Sequence, residues 1–412
     1  MAPPLSVRCI VFMKTVFKWV LALAFSPWAH AGVVDISASY MPSSLNPGHV
    51  RFTNTTPLSG YCADWPGQCL PGTFSISLPV TLDRTWVLPG SPEELNYQRV
   101  DGGWNTLTVQ NTESGDRVPV RFRFSILSRR YVLGALQPGG IAGQIGTIAN
   151  IWAPISGGCV QGVGSGSATV YEFGWSVPEG TALCVRAPAT LERLGPYAGS
   201  IDKVSIGYEL ETPDPLAMSN GFYTGEAQYT VGHGKQIDLG SGAYSDSIIH
   251  LNFALTVLHE LRMDFAPGSD RAVLEPQGGW ADWLNRGRAP TRLYQEHPFR
   301  LWTSAPMSVY LRCNDYQIGH QCAIQREGST EQVPINVALT FPGNIRYHGN
   351  EVREFSLPVG AAAAVRFVSV APTFDQPGKL HYSVDKDSVA TMLKQAGSTW
   401  RGDVTIVFDA QM

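Results

Sequence analysis

Two short motifs contain residue types that other proteins use for catalysis. His259 and Glu260 resemble the start of the HExxH motif, but no second histidine follows at the spacing that puts both rings on one helical face to bind zinc. Gly164-Ser165-Gly166 lacks the outer residues of the GxSxG motif, whose serine needs a turn between a strand and a helix. The sequence therefore predicts a protein that is not an enzyme and that uses no cofactor or metal.

The acidic residues give no clearer indication of catalysis. They are scattered along predicted strands and turns, and no two stand out as the acid and nucleophile of a glycoside hydrolase. Such a pair need not be close in sequence. A secreted β-sandwich enzyme that acts on carbohydrates therefore stays the alternative from another functional class.

A basic stripe is the clearest candidate for a binding surface. Val118, Val120, Phe122, Phe124 and Ile126 alternate with Arg117, Arg121 and Arg123, and Arg129 and Arg130 follow at the end of the run. Strand periodicity puts the apolar side chains on one face and the arginines on the other. Because the whole chain has a formal charge of −4, a local positive patch would attract an anionic ligand such as a sialylated glycan. A solvated strand face without a ligand explains the same pattern.

Short strands are the elements that would position these residues. The chain has 42 glycines and 29 prolines, and runs rich in Val, Ile, Thr, Phe and Tyr lie between turn residues. The clearest runs are 74–82, 118–126, 203–210, 227–231 and 248–258. A helix is predicted at 387–397, and a helical turn at 279–287. Such a pattern predicts an all-β fold built from sandwiches or barrels.

Residues 1–31 have the features of a signal peptide. Lys14 and Lys18 precede or enter an apolar stretch at 19–25, and Ala29-His30-Ala31 is a suitable cleavage site. No later stretch is long and apolar enough for a membrane span. We therefore expect an exported chain that begins near Gly32. Loss of three positive charges (Arg8, Lys14 and Lys18) changes the formal charge from −4 to −7, and nucleic-acid binding is not expected.

Six cysteines remain once Cys9 leaves with the signal peptide: Cys62, Cys69, Cys159, Cys184, Cys313 and Cys322. An even number in an exported chain indicates disulfides, because that compartment is oxidising. Many connectivities are possible, but the grouping into sequence-local pairs favours 62 with 69, 159 with 184, and 313 with 322. A zinc site that uses His320 beside Cys322 is the alternative, although a second ligand pair at zinc-like spacing is missing from the sequence.

The mature chain divides after Leu258. The strand-like run 248–258 ends there, and a new strand-like run and a turn follow. We predict an N-terminal domain at 32–258, a linker at 259–261 and a C-terminal domain at 262–412. Both domains have an ordinary size.

Several segments resemble the minor tip subunits of class 5 chaperone–usher fimbriae, the CfaE/CblD group. Residues 58–78 resemble that family's first disulfide and the Pro-Gly-Thr strand after it. Residues 221–240 and 248–258 resemble the region before its linker, and 377–387 and 400–410 are similar to the last two strands of its pilin domain.

This resemblance implies two immunoglobulin-like β-sandwiches in tandem, an N-terminal adhesin domain and a C-terminal pilin domain that lacks one strand. A strand donated by another protein would fill the groove, because an open sheet edge invites strand addition. Together with the strand period of 400–410, it indicates the residues of the donor-strand groove: Val309, Leu311, Trp400, Gly402, Val404, Ile406 and Phe408. The integrin-type tripeptide Arg401-Gly402-Asp403 lies inside this run and is interpreted as strand.

The resemblance also implies partners and a location. The expected partners are a periplasmic chaperone, the outer-membrane usher, a major pilin subunit that donates a strand, and a glycan or glycoprotein on a host cell. The protein would initiate pilus assembly and reach the fimbrial tip on the bacterial surface.

Receptor binding in some members depends on an arginine cluster in the adhesin domain. Residues 233–238 depart from that pattern and leave only Lys235. Arg84, Lys235 and the basic stripe are therefore our candidate receptor contacts, and 88–198 is the interval in which a receptor site would diverge.

The N-terminal segment has a strand period of its own, with Val34, Ile36, Ala38 and Tyr40 on one face. It is either the first strand of the adhesin domain or a donor strand. A tip subunit favours the first, because no partner precedes it. A pilus subunit outside the tip is a further alternative.

Overall fold

A computed structural model of the chain describes residues 6–13, 32–46, 49–148, 153–186 and 193–410. Strands dominate, and the buried apolar side chains form two large clusters, one within 36–257 and one within 261–410. In each cluster the side chains come from two sheets. The all-β prediction is confirmed, and the chain is two sandwich domains in tandem. Most of the signal-peptide prediction, 1–5 and 14–31, lies outside the described residues.

Strand β1 (Ser6–Met13) comes first in the chain and is placed in the second domain. The first domain contains β2 Val33–Tyr40, β3 Thr53–Asn54, β4 Phe74–Ser77, β5 Leu82–Leu88, β6 Asn96–Asp101, β7 Asn105–Asn111, β8 Arg117–Ile141, β9 Ile155–Ser156, β10 Val160–Gly166, β11 Val170–Ser176, β12 Thr181–Arg186, β13 Leu194–Glu211, β14 Gly221–Thr230, β15 Ile237–Asp238, β16 Ala243–Tyr244 and β17 Ile248–Val257. Short helices lie at α1 Tyr61–Asp64 and α2 Ile145–Ile148, with 3-10 turns at Pro66–Gln68, Pro92–Glu94 and Pro215–Ala217.

The larger sheet of this domain has the order β16-β5-β13-β8-β7-β14-β17-β2-β3, with β4 on β13 and β10–β11 on β8. The smaller sheet has the order β15-β6-β12-β9. Strand β17 shows why the sequence forms strands: Ile249, Leu251, Phe253, Leu255 and Val257 are buried and the residues between them are not. One face of the strand is therefore core and the other solvent.

The N-terminal segment forms the first strand of this domain. Strand β2 lies parallel to β17, from Val33 opposite His250 to Tyr40 opposite Val257. Its side chains Ile36, Ala38 and Tyr40 are buried in the domain core. This segment therefore pairs within its own domain, as expected for a first strand of that domain and not for a strand donated to another subunit.

A β-bulge in β8 changes which residues face the core. Phe124 is opposite Tyr208 and Ile126 is opposite Gly207, so Ser125 is one extra residue on its strand. Beyond the bulge the alternation is reversed, and Arg129 is buried while Ile126 joins a separate cluster. The expectation that Ile126 shares the core face, and that Arg129 continues the exposed stripe, is therefore wrong.

The second domain contains β18 Leu261–Phe265, β19 Arg271–Val273, β20 Leu293–Thr303, β21 Met307–Cys313, β22 Tyr316–Ile318, β23 Gln321–Arg326, β24 Gln332–Pro334, β25 Asn336–Thr340, β26 Ile345–Tyr347, β27 Asn350–Glu351, β28 Phe355–Ser356, β29 Val365–Ser369, β30 Thr373–Val384 and β31 Trp400–Ala410. Its helices are α3 Ala281–Arg286 and α4 Lys386–Leu393, with a 3-10 turn at Ala361–Ala363. One sheet has the order β19-β1-β31-β21-β29-β26-β27, with β22–β24 joined to β31 through β23, and the other has the order β18-β20-β30-β25-β28.

Helix α4 shows local capping. The Asp385 carboxylate accepts a hydrogen bond from the Ser388 backbone N–H at 2.9 Å and so satisfies a free donor of the first turn. Val389 and Met392 are buried one turn apart on its inner face. Helix α3 ends at Gly287, whose φ of 64° suits glycine at a helix C-terminus.

Three disulfides join the cysteines in sequence-local pairs, Cys62–Cys69, Cys159–Cys184 and Cys313–Cys322, as the sequence grouping favours. Because Cys322 is bonded to Cys313, its sulfur is not available as a thiolate ligand, and the zinc alternative is wrong. Within the described ranges, no helix is long and apolar enough to cross a membrane.

Candidate functional site

A slot between two strands of the C-terminal domain is the main feature that bears on function. Strand β1 lies in this slot, between β19 and β31. It runs parallel to β31, with Ser6 opposite Arg401 and Met13 opposite Phe408. It runs antiparallel to β19, with Ser6 opposite Val273 and Arg8 opposite Arg271. The sheet is therefore completed by a strand that lies far from this domain in sequence.

The residues expected in the groove lie on β31, which borders the slot, and on β21, the next strand beyond β31. Trp400, Gly402, Val404, Ile406 and Phe408 alternate along β31 and are all buried. On the neighbouring strand β21, Val309 is opposite Phe408 and Leu311 is opposite Ile406, and both are buried. The positions of β1 in register with Gly402, Val404, Ile406 and Phe408 are Val7, Cys9, Val11 and Met13. All four are apolar residue types, and Ile10 and Phe12 between them are apolar as well, so the run 9–13 is continuously apolar in sequence.

Gly402 has a steric role in β31. A Cβ atom added there would lie 2.6 Å from the Ala323 carbonyl oxygen and 3.2 Å from the Ile324 Cα. The backbone of β23 thus approaches β31 too closely for any side chain at this position. The glycine makes room for β23 and not for the strand in the slot.

The Arg401-Gly402-Asp403 tripeptide lies within β31. Arg401 forms an ion pair with Glu327 at 2.9 Å, and the Asp403 backbone N–H donates to the Asp315 carboxylate at 3.0 Å. Both residues are therefore part of an extended, hydrogen-bonded strand and do not lie at the tip of a turn.

Three arginines of the basic stripe are paired with carboxylates of β13. Arg121 contacts Glu211 at 2.6 Å, and Arg123 contacts Glu209 at 2.8 Å. The Trp104 ring lies beneath both guanidinium groups, 4.8 Å from that of Arg121. Arg130 pairs in the same way with Asp202 at 2.7 Å. Around these three arginines the stripe is therefore a ladder of opposite charges and not a positive patch.

Two of the predicted receptor contacts are buried. Arg129 donates to the Tyr131 hydroxyl at 3.2 Å and to the Asn96 carbonyl oxygen at 3.0 Å, and its guanidinium is 4.4 Å from the Trp175 ring centre. Arg84 donates to backbone carbonyls at 3.3 Å, and burial lowers the pKa of its guanidinium. Arg129 is 0% exposed and Arg84 is 8% exposed, so the folded chain presents little of either side chain at its surface.

Arg186 is a third buried arginine, and it was missed from the sequence. Its guanidinium lies 5.6 Å from the Trp175 ring and 6.0 Å from the Phe173 ring, and the side chain is buried. A signal was present, because Arg186 follows Cys184 by two residues and therefore shares its inward face on β12.

Arg117 and Lys235 are the predicted contacts that stay open to a ligand. Both side chains are exposed. Within the part of the chain that the structure describes, neither forms an ion pair with a carboxylate.

His259 connects the two domains. Its Nε2 is 2.9 Å from the Met218 carbonyl oxygen of the first domain, and its Nδ1 is 3.1 Å from the Ser304 hydroxyl of the second. The ring also packs 5.6 Å from that of Tyr40. Burial lowers the pKa of the imidazole, so the neutral ring is favoured at the junction. The residue considered for zinc catalysis therefore has a structural role.

No protein-family model matches this sequence, and no curated protein matches it. Three solved structures align with most of the chain. They are a chaperone–tip adhesin complex of CFA/I fimbriae (8% identity, 92% of this chain and 97% of that one, TM-score 0.25), a mutant of the adhesin CfaE of enterotoxigenic E. coli (6%, 92% and 98%, 0.23) and the CsuC–CsuE chaperone–tip subunit complex of Acinetobacter baumannii Csu pili (11%, 92% and 98%, 0.22). Identities and TM-scores this low do not establish a family for this chain.

Proposed function

We propose that the protein is a tip adhesin of a chaperone–usher fimbria whose C-terminal domain accepts a strand from another protein. The observation that carries this proposal is the slot between β19 and β31, which holds residues 6–13. Those residues belong to the segment that has the features of a signal peptide. Once that segment is removed, the domain has no strand of its own in this position.

An empty slot creates a physical demand for a partner. Without β1, the backbone N–H and C=O groups of β31 that pair with it would be exposed. They would lie next to the apolar row Val404, Ile406 and Phe408. Exposed ladder groups beside apolar surface promote aggregation unless a strand is added. In this proposal residues 6–13 stand in for the strand that a periplasmic chaperone supplies first and a major pilin subunit supplies later.

The N-terminal domain would be the part that contacts the host. Its own first strand fills the position equivalent to the slot, so it needs no partner to complete its sheet. Arg117 and Lys235 would contribute to binding a host glycan or glycoprotein, because their charges are exposed and unpaired among the described residues. The protein would bind without turnover, initiate assembly at the outer-membrane usher and reach the fimbrial tip.

The decisive experiment uses the chain from residue 32 onward, without the leader. We expect rapid amide hydrogen exchange in residues 401–408 and self-association. Adding a peptide with the sequence of residues 6–13, with Cys9→Ser to prevent oxidation, should slow exchange in 401–408 and yield a monomer. Exchange in β17 should be slow with or without the peptide.

A matched control is the same peptide with Val7→Asp and Val11→Asp, which puts carboxylates in register with Gly402 and Ile406. It should not protect β31, because an unpaired buried charge is strongly unfavourable. If the chain without any added strand is a monomer with β31 already protected, the proposal is wrong.

A further inference from the structure

A cavity of about 510 Å³ lies in the C-terminal domain, away from the slot. One wall is the segment 276–292, which includes α3, and the floor is formed by strands β20 and β30. The volume is within the usual range for small-molecule sites. No function described above uses this cavity.

The polar floor of the cavity is held in place by hydrogen bonds. Glu296 and His381 are directly opposite each other on β20 and β30, and their Oε1 and Nδ1 atoms are 3.2 Å apart. The other ring nitrogen of His381 is 2.9 Å from the Thr340 hydroxyl, and Lys379 contacts Glu296 at 2.9 Å. The hydrogen bond from Lys379 is the main reason that the pKa of Glu296 is lowered. The floor therefore presents a fixed carboxylate acceptor.

The walls of the cavity combine aromatic and charged side chains. Trp283 of α3 and Tyr294 of β20 both line it, and the Arg292 guanidinium lies 5.9 Å over the Tyr294 ring. Arg288 and Glu354 also line it, and in the described part of the chain neither they nor Arg292 form an ion pair. Their donors and acceptors are therefore available to a ligand.

We infer that this cavity binds a saccharide. A sugar presents hydroxyl groups that both donate and accept, which the guanidinium groups of Arg288 and Arg292 and the carboxylate of Glu354 can match. It also presents an apolar C–H face, which suits the half-buried Trp283 ring. An apolar ligand would leave these charges unpaired, and a phosphate would face the carboxylates of Glu296 and Glu354.

The test uses the chain from residue 32 onward, complexed with the residue 6–13 peptide if that peptide proves necessary for a monomer. Methyl glycosides of galactose, mannose, N-acetylglucosamine and N-acetylneuraminic acid are examined by saturation-transfer NMR, and affinity is then measured by calorimetry. We expect at least one glycoside to bind. Trp283→Ala and Glu354→Gln should each weaken it about tenfold, the usual result of losing one stacking or charged hydrogen-bond contact.

Arg353→Gln is the matched control. Arg353 is next to Glu354 in the chain but pairs with Glu351, and neither Arg353 nor Glu351 lines the cavity, so its loss should leave affinity unchanged. Glu354→Gln should leave the fold intact, because the Glu354 side chain has no ion pair to lose in the described structure. A loss of affinity in this variant therefore reports on ligand binding and not on unfolding. Absence of binding for every glycoside, or binding that resists both cavity variants, overturns the inference. The outcome is separate from strand acceptance, which is measured at residues 401–408.

Discussion

The two domains complete their sheets in the same way but from different sources. In the first domain, β2 lies parallel to β17, the last strand of that domain. In the second, β1 lies parallel to β31, again the last strand. Strand β2 directly precedes the rest of its own domain in the chain, whereas β1 is separated from the second domain by the whole first domain.

If residues 6–13 are removed with the leader, as we propose, this difference separates a strand that folds with its domain from a strand that must be supplied. The ordering of β2 is part of the folding of one chain, so no second molecule limits it. A strand that comes from elsewhere binds as a ligand does, and it stabilises the folded state in proportion to its concentration and affinity. In the proposed assembly, the second domain is therefore the one whose folding a partner controls.

The largest expected effect is that of a charge in each completing strand. Ile36 is 1% exposed in β2, so Ile36→Asp should lower the free energy of unfolding of the first domain by more than about 3 kcal/mol, because it buries an unpaired charge. The corresponding change for the second domain is Val11→Asp in the residue 6–13 peptide, opposite Ile406, which should abolish the stabilisation that the peptide gives to that domain and leave the first domain unchanged. Urea unfolding of the chain from residue 32 onward, alone and with each peptide, measures this, and a peptide that stabilises both domains equally would remove the contrast between them.

A smaller effect is expected from Gly402→Ala. The added methyl would lie 2.6 Å from the Ala323 carbonyl oxygen, and relieving such overpacking costs about 1–3 kcal/mol. The C-terminal domain should lose this stability, and the affinity for the residue 6–13 peptide should fall with it. Gly343→Ala is the control, because its nearest contact is 4.0 Å away. Loss of stability at Gly343 but not at Gly402 would contradict the steric argument.

The smallest effect concerns pH at the junction between the domains. Burial lowers the pKa of His259 in the folded chain, so the unfolded chain binds more protons between the folded value and the ordinary value of about 6.5. The stabilisation from His259 is complete above that ordinary pKa and is lost as the pH falls through the folded one. His259→Gln should therefore reduce the difference in Tm between pH 7 and pH 5. An unchanged pH dependence would show that the junction does not contribute.

The sequence was sufficient for patterns that repeat along one strand. The alternation in β17 predicted its buried face correctly, because every second residue meets the core. In β31 the predicted face is buried as well, but Thr405 and Val407 on the other face are also buried. The sequence pattern was not sufficient in β8. The extra residue at Ser125 reverses the face of the sheet to which each later side chain of the strand points, and the residue types do not reveal this reversal.

The sequence pattern could not predict contacts between segments that lie far apart in the chain. The carboxylates Glu209 and Glu211 lie on β13, far from the arginines that they neutralise on β8. The cavity near Trp283 needs strands β20 and β30 and the segment between 276 and 292 to meet. No period or motif along a single segment carries that information, so the paired stripe and the open cavity became visible only in the folded chain.

The register of residues 6–13 with 401–408 has a mechanical consequence. If a donated strand takes this position, a pull between host and fibre acts along the length of the ladder. Its hydrogen bonds are then stretched together in shear and do not open one after another from an end. The force that such a joint withstands would increase with the number of paired residues, so a fibre under flow would be held by the length of this ladder.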